Sequence, residues 1–139
     1  LRKISAALKM ISDMERIGDQ ASDIADMVPY IRFSEAKSKV HIEAMAKATV
    51  KMVTDSVDAF VQDDLDLAQR VIDSDDEVDD LFNRVKNELI DLIYAKDIDA
   101  KVALDLLMTA KYYERIGDHA VNIAEWVVYS ITGVHKSNE

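Results

Sequence analysis

The chain has 139 residues, of which 49% are hydrophobic and 32% charged, so it is long enough to form one domain with its own apolar core. Its three glycines, one proline and many helix-forming residues predict an all-α fold and exclude an all-β one. The absence of cysteine excludes disulfides and thiolate metal sites, and a net charge of −10 argues against a nucleic-acid partner, whose phosphates would be repelled.

Apolar side chains recur every three or four residues from the start of the chain, which predicts a first helix over about residues 2–28. Its apolar positions are Ile4, Leu8, Ile11, Met14, Ile17, Ala21, Ile24 and Val28. Pro29 is expected to end or kink this helix. Its amphipathic opening lacks the apolar core of a signal peptide, and no run in the chain approaches the roughly 20 apolar residues of a membrane span. We therefore expect a cytoplasmic protein.

Three further helices are predicted, over about residues 35–62, 65–95 and 100–131. The residues expected to cap or stop them are Ser34, Asp64, Asp99 and Gly133. The second helix has an apolar face broad enough for two neighbours, formed by Ile42, Met45, Met52, Val53, Phe60 and Val61. Because the loops between these three helices are short, they should form an antiparallel, up-down-up bundle.

The third predicted helix contains an aspartate in its apolar seam. The seam consists of Val71, Asp75, Val78, Phe82, Val85, Leu89 and Leu92. An unpaired carboxylate at such a position would be expensive to bury. Asp79 lies one turn further on, so the two carboxylates either reach water where the helices splay or together bind a cation. Acidic clusters on helices are usually solvated, and this helix alone favours the first interpretation.

The last helix repeats part of the first. Residues 14–28 and 113–127 are identical at nine of fifteen positions, and both contain Glu-Arg-Ile-Gly-Asp. Residues four apart share a helix face, so each copy forms a polar ladder: Glu15, Asp19 and Asp23 in the first, and Glu114, Asp118 and Asn122 in the second. The apolar seam of the second copy lies nearly opposite, at Thr109, Ile116, Ala120, Ile123 and Val127.

Both copies of the motif should destabilise their helices, so we expect another interaction to compensate. Like charges four residues apart destabilise a helix by about 0.2–0.5 kcal/mol per pair, and a glycine in a helix interior costs roughly 1 kcal/mol relative to alanine. We interpret Gly18 and Gly117 as points of close helix–helix approach. The offset of 99 residues between the copies indicates that the first helix is the third helix of a preceding repeat whose first two helices are absent.

The two Glu-Arg-Ile-Gly-Asp copies, together with the segment Arg70-Val71-Ile72-Asp73-Ser74-Asp75-Asp76-Glu77-Val78-Asp79, resemble the PhoU family. These are regulatory proteins associated with the phosphate-specific ABC transporter. The resemblance covers essentially the whole chain. It implies that residues 1–33 are the third helix of an incomplete first repeat and that residues 34–139 form the complete second three-helix repeat.

The resemblance also implies a function. The protein would be a non-enzymatic, negative regulator of phosphate uptake and phosphate-starvation signalling, acting by contact with the transporter ATPase and a sensor histidine kinase. It would reach the membrane only through these partners, and the resemblance leaves a homodimer open.

Members of the family hold multinuclear metal clusters on E/D-x-x-x-D motifs of adjacent helices. Carried over by position, the ligands of the complete bundle are Asp75, Asp79, Glu114, Asp118 and Asn122, and those of half a second site are Glu15, Asp19 and Asp23. Oxygen ligands suit Mg, Ca, Mn or Fe, the family resemblance also admits Zn, and the sequence does not select among them. Two departures weaken the pattern: the first repeat lacks its middle helix, and Asn122 replaces the charged ligand of the first copy.

Three other kinds of protein could carry a similar acidic helical sequence. A ferritin-type di-metal oxidase would need Glu-x-x-His pairs, and no histidine in the chain has a glutamate three residues before it, so we predict no enzyme. A PhoU-like domain appended to a phosphate transporter or channel stays open, as does a purely structural acidic bundle. His119 points about 100° away from Asp118 on the helix and is expected to be a surface residue.

Overall fold

The computed structural model describes residues 1–31 and 40–135, which form five helices and no strand. The helices are α1 (Arg2–Ile31), α2 (Ile42–Gln62), α3 (Leu65–Asp73), α4 (Asp75–Tyr94) and α5 (Ala100–Thr132). The predicted all-α fold is confirmed. No helix in this part of the chain is both long and apolar enough to cross a membrane.

The bundle formed by α2, the α3–α4 pair and α5 has the predicted up-down-up arrangement. Helices α2 and α4 both pack on α5, and Met52 and Val78 are among the side chains nearest to Gly117. The predicted seam of α5 is buried at all of its positions, namely Thr109, Ile116, Ala120, Ile123 and Val127. Opposite it, α3 and α4 bury Val71, Val78, Val85 and Leu89 of their predicted seam. The hydrophobic core therefore lies between α2, the α3–α4 pair and α5, and Met10 of α1 packs into it.

Helix α1 lies along α5 in the opposite direction. Arg2, at its start, lies next to Gly133 after the end of α5, while Met27, near its other end, contacts Thr109. The helix continues through Pro29 to Ile31, so it does not end at the proline. A proline this close to a helix end removes only one ladder hydrogen bond, and its fixed φ is a helical value.

Most of the predicted apolar face of α1 is not part of the core. Ile4 and Leu8 are each 65% exposed, Ile11 is 49% exposed and Met14 41% exposed, whereas the buried residues are Ala6 and Met10. The side chain of Val28 lies outside the described residues. Ile17 and Ile24, further along the same predicted face, are half-buried, and Ile17 packs against the core, so the exposed part of the face is its first half.

Helix α2 begins later than predicted. Its first residue is Ile42, and residues 35–39 of the predicted helix lie outside the described residues. Glu88 of α4 binds the chain just before this start. The backbone N–H of His41 donates to Glu88 Oε1 at 2.9 Å, and His41 Nδ1 lies 2.7 Å from Glu88 Oε2. The predicted cap Ser34 lies outside the described residues.

The predicted third helix is divided at Ser74 into α3 and α4. The Ser74 hydroxyl donates to the carbonyl oxygen of Arg70 at 2.7 Å, a local bond that competes with the helical ladder and bends helices. The predicted caps are confirmed on either side: Asp64 accepts from the N–H of Leu67 at 3.0 Å, and Asp99 accepts from that of Lys101 at 2.7 Å.

Neither interior glycine is required by a close helix approach. A Cβ added at Gly117 would lie 3.5 Å from Val78 Cγ1 and 3.7 Å from Met52 Sδ, which are ordinary van der Waals distances. At Gly18, a Cβ would have no described atom within 4 Å. The close-approach interpretation is therefore wrong for Gly18 and unnecessary for Gly117, whereas Gly133, at φ 79°, ends α5 in the left-handed conformation that glycine favours.

We expect Gly18→Ala and Gly117→Ala each to stabilise the chain by about 0.5–1 kcal/mol, because alanine is the better helix former and both positions have room for a methyl group. Urea denaturation measures the change. Gly133→Ala is the control and should lower the free energy of unfolding, because its Cβ would meet the Arg2 guanidinium and its φ is positive. A loss of stability in Gly117→Ala would contradict the packing described here.

Candidate metal centre

Three carboxylates converge where α4 begins and passes the middle of α5. Asp75 is the first residue of α4, Asp79 lies one turn later, and Asp118 comes from α5. One oxygen atom from each lies within 4.8 Å of those from the other two. Oxygens that share one hard cation at metal–oxygen distances of about 2.0–2.6 Å are separated by no more than roughly 5 Å. The three carboxylates therefore have the spacing of a cation site.

Asp75 is the member of the cluster that is hardest to explain without a ligand. Its Oδ1 atom is buried and has no hydrogen-bond partner among the described residues. Burial, followed by the charges of Asp76 and Glu114, raises the pKa of this carboxyl, while a side-chain hydrogen bond with Asp118 lowers it. A buried carboxylate oxygen without a donor is costly. A cation at this point would provide the missing partner.

The pKa of Asp118 is raised from 3.8 to about 6. The causes, in order of size, are burial and the charges of Asp75, Glu114 and Asp79, which Lys111 opposes. Although the residue as a whole is exposed, its carboxyl faces the other two members of the cluster. Burial, followed by Asp75 and Glu114, also raises the pKa of Asp79. At neutral pH the cluster is a concentration of mutually repelling negative charge.

Local sequence and helix packing explain why these side chains meet. Val78 lies between Asp75 and Asp79 in the sequence and is 1% exposed, so its burial turns that side of α4 toward α5. On α5, Gly117 is buried against Val78, which brings the next residue, Asp118, to the edge of the same contact. The carboxylates thus lie at the rim of the core, where one side of each group is enclosed.

Glu114 lies beside the cluster rather than in it. Its side chain is 15% exposed, and its Oε1 atom accepts a 2.6 Å hydrogen bond from Lys111 Nζ. Its charge nevertheless acts on all three aspartates. Among the other predicted ligands, Glu114 is therefore the one whose charge raises the pKa of the three aspartates.

Asn122 contacts α1 instead. Its Nδ2 atom donates to Asp13 Oδ1 at 3.2 Å, and His119 Nδ1 lies 2.9 Å from the same oxygen. Asp13, whose side chain is 13% exposed, was not singled out in the sequence because nothing local marks it. Its role can be seen only once α1 and α5 are known to be antiparallel, because that arrangement places Asp13 beside His119 and Asn122.

The first-copy residues Glu15, Asp19 and Asp23 are all exposed on α1. Within residues 1–31 and 40–135, the acidic and histidine side chains with metal-type spacing are Asp75, Asp79 and Asp118 alone. The structure therefore places the first-copy residues on an open helix face, without a second helix opposite them.

In metal-free protein, Asp118→Asn should stabilise the fold near pH 7.5 and have no such effect near pH 4. The folded-state pKa of about 6 lies above the ordinary value of 3.8, so the wild-type chain loses stability as the pH rises between these values, and asparagine removes this loss. We expect about 0.5–1 kcal/mol, because partial exposure screens the repulsion.

Urea denaturation in EDTA at both pH values measures this difference. Asp66→Asn, which removes an exposed carboxylate from the first turn of α3, is the control and should not stabilise. Equal effects of Asp118→Asn at the two pH values would contradict the electrostatic description of the cluster.

Comparison with known proteins identifies the family. The model of the PhoU domain matches residues 1–28 and 42–127. The PhoU homolog of Clostridium acetobutylicum, a phosphate-specific transport system accessory protein, is 37% identical over 134 residues, covering 96% of this chain and 61% of that protein. PhoU homolog 1 of Thermotoga maritima is 36% identical, over 96% of this chain and 58% of the relative.

Solved structures agree with the sequence matches. The crystal structure of PhoU from Pseudomonas aeruginosa superposes with a TM-score of 0.89 at 33% identity, covering 96% of this chain and 65% of that one. PhoU from Streptococcus pneumoniae gives a TM-score of 0.83 at 25% identity, over 97% of this chain and 64% of the other. The chain thus spans about 60% of the length of the relatives. It belongs to the PhoU family.

Proposed function

We propose that this chain is part of a non-enzymatic, negative regulator of phosphate uptake and phosphate-starvation signalling. The observation that carries the proposal is the match over 96% of the chain to proteins named as accessory proteins of the phosphate-specific transport system. The regulator acts by contact with the transporter ATPase and with a sensor histidine kinase. The net charge of −10 favours association with basic protein surfaces and disfavours anionic ones.

We infer that α1 is the third helix of a first repeat and that its exposed apolar face packs against two further helices. The internal repeat supports this. Ile4 and Ile11 are exposed on α1, but the residues 99 positions later, Ala103 and Ala110, are buried in the second repeat. The second repeat buries these positions in a three-helix bundle, and α1 has the apolar residues to do the same.

We propose that Asp75, Asp79 and Asp118 bind a hard metal cation, with Glu114 as a further ligand. The buried, unpartnered Oδ1 atom of Asp75 supports the proposal, because oxygen donors of this kind suit Mg, Ca, Mn, Fe or Zn. A bound cation would neutralise the repulsion within the cluster. Glu15, Asp19 and Asp23 would contribute to a second, multinuclear site only where another helix packs beside them on α1.

In the proposed site, the three aspartates would join the start of α4 to the middle of α5. Asp75 immediately follows the division between α3 and α4 at Ser74, whereas Asp118 lies in the continuous helix α5. Holding their carboxylates together fixes the start of α4 against α5. In this way occupancy of the site would set the position of α3 and of the surface that it presents to a partner.

Metal content tests the site directly. Protein purified without chelator should contain metal by mass spectrometry, and Asp75→Asn and Asp118→Asn should each lose most of it, because each removes one charged ligand. Asp66→Asn lies outside the cluster and should retain the wild-type content. Negligible metal in all four proteins would refute the metal site and leave the regulatory contact unaffected.

Binding to the transporter ATPase tests the regulatory contact. Immobilised chain, and a longer protein that includes the first repeat, should retain the purified ATPase at micromolar concentration, and moderate salt should weaken the retention because acidic and basic surfaces meet. An unrelated acidic helical bundle of similar net charge is the control. If the longer protein retains no more ATPase than the control, the proposed contact is wrong.

A further inference from the structure

Lys111 occupies a defined place at the end of the carboxylate cluster. Its Nζ atom donates to Glu114 Oε1 at 2.6 Å and lies 5.3 Å from the centre of the Phe82 ring. The aliphatic part of a lysine covers apolar surface while its ammonium group stays near water, and here the side chain reaches from α5 across to α4. The ammonium group is thus held by two contacts rather than left free in solvent.

Lys111 is in register with the cluster. Helices α4 and α5 are antiparallel, so residues on α4, counted backwards, lie beside residues on α5, counted forwards. The α4 residues in this order are Phe82, Asp79 and Asp75, and the α5 residues beside them are Lys111, Glu114 and Asp118. Each step is three or four residues, so each set lies along one helix face. Lys111 therefore completes a row whose remaining polar members are all carboxylates.

The positive charge of Lys111 acts on this row. It lowers the pKa of Asp118, against the effects of burial and of the neighbouring acids. It also donates to Glu114, whose charge acts on all three converging aspartates. In the metal-free protein, Lys111 thus supplies part of the countercharge that the carboxylates need.

We propose that Lys111 is a tethered cation that competes with metal ions for the carboxylate cluster and lowers the metal affinity of the site. It acts in two ways, by repelling an incoming ion and by occupying Glu114. The inference rests on the metal site proposed above and adds a residue that no ligand motif contains. Metal binding would require Glu114 to exchange Lys111 for the metal, so that Lys111 is released to solvent.

The repeat makes this feature specific to the second copy. The residue 99 positions before Lys111 is Ser12, which has no charge, although the Glu-Arg-Ile-Gly-Asp that follows is the same in both copies. The two copies thus carry the same acidic motif with and without an adjacent ammonium group. By this mechanism, the second copy carries a competitor for the metal that the first copy lacks.

Isothermal titration of the EDTA-stripped chain with Mn²⁺, at fixed pH and ionic strength, tests the inference. Lys111→Met keeps the apolar contact with Phe82 and removes the charge, so its Kd should be about tenfold lower than that of the wild type, the size expected for a unit charge near a divalent ion in a water-like dielectric. Lys101→Met removes a lysine from an exposed pair on the same helix and should bind within about twofold of wild type.

A variant lacking Glu114 separates competition from packing. In a Glu114→Gln background, Lys111→Met should tighten binding less than it does in the wild type, because glutamine no longer holds the ammonium group. The metal-free Lys111→Met protein should also melt at a lower temperature than the wild type, since it loses a countercharge. If it does not fold, Lys111→Gln takes its place with the same expected result.

The outcomes are distinct. Unchanged or weaker Mn²⁺ binding by Lys111→Met, alongside measurable binding by wild type, overturns the role of Lys111 and leaves the metal site intact. Absence of binding by both proteins overturns the metal site and this inference with it. Tighter binding by Lys111→Met with unchanged binding by Lys101→Met supports the inference.

Discussion

The contact between α4 and α5 confines three carboxylates at the rim of the hydrophobic core, and this confinement underlies the rest of the molecule's behaviour. Apolar packing of Val78 against Gly117 brings the helices together, and the same contact encloses one side of Asp75 and Asp118. The fold thereby holds an unfavourable electrostatic arrangement in place. Such an arrangement is typical of functional sites, where packing elsewhere supports groups that repel one another.

The break at Ser74, which divides one predicted helix into α3 and α4, lies next to this contact. Asp75 is the first residue after the division and takes the position that Val71 and Val78 hold elsewhere in the seam. A continuous apolar seam would only pack α3 and α4 onto α5. The aspartate at this junction instead places a carboxylate against α5, where the proposed cation would join the start of α4 to that helix.

Local signals predicted much of the fold. The caps at Asp64 and Asp99 and the stop at Gly133 depend on residues within a few positions of each helix end, so sequence alone suffices to place them. The contact between His41, just before α2, and Glu88 could not be predicted in this way, because the two residues are 47 positions apart. The exposed face of α1 has a similar origin: periodicity shows that a face is apolar but not whether anything covers it.

In the candidate site, too, some residues could be found from local sequence and others depend on distant parts of the chain. Asp75 could be found because it interrupts an apolar seam, and Asp118 because it belongs to a repeated motif. Asn122 shares a helix face with Asp118, yet it contacts Asp13 on α1, since the direction of a side chain at a helix edge depends on the neighbouring helix. The family resemblance implied eight ligands, and the side chains that come together depend on which helices are present to face one another.

We propose that Asp75, Asp79 and Asp118 form a single cation site, and anomalous diffraction at the manganese absorption edge, from crystals grown with Mn²⁺, is the decisive test. We expect a strong anomalous peak at about 2.0–2.6 Å from an oxygen of each of the three carboxylates, with Asp75 Oδ1 among them. A data set with Mn²⁺ bound elsewhere on the protein and no peak between these three residues would contradict it.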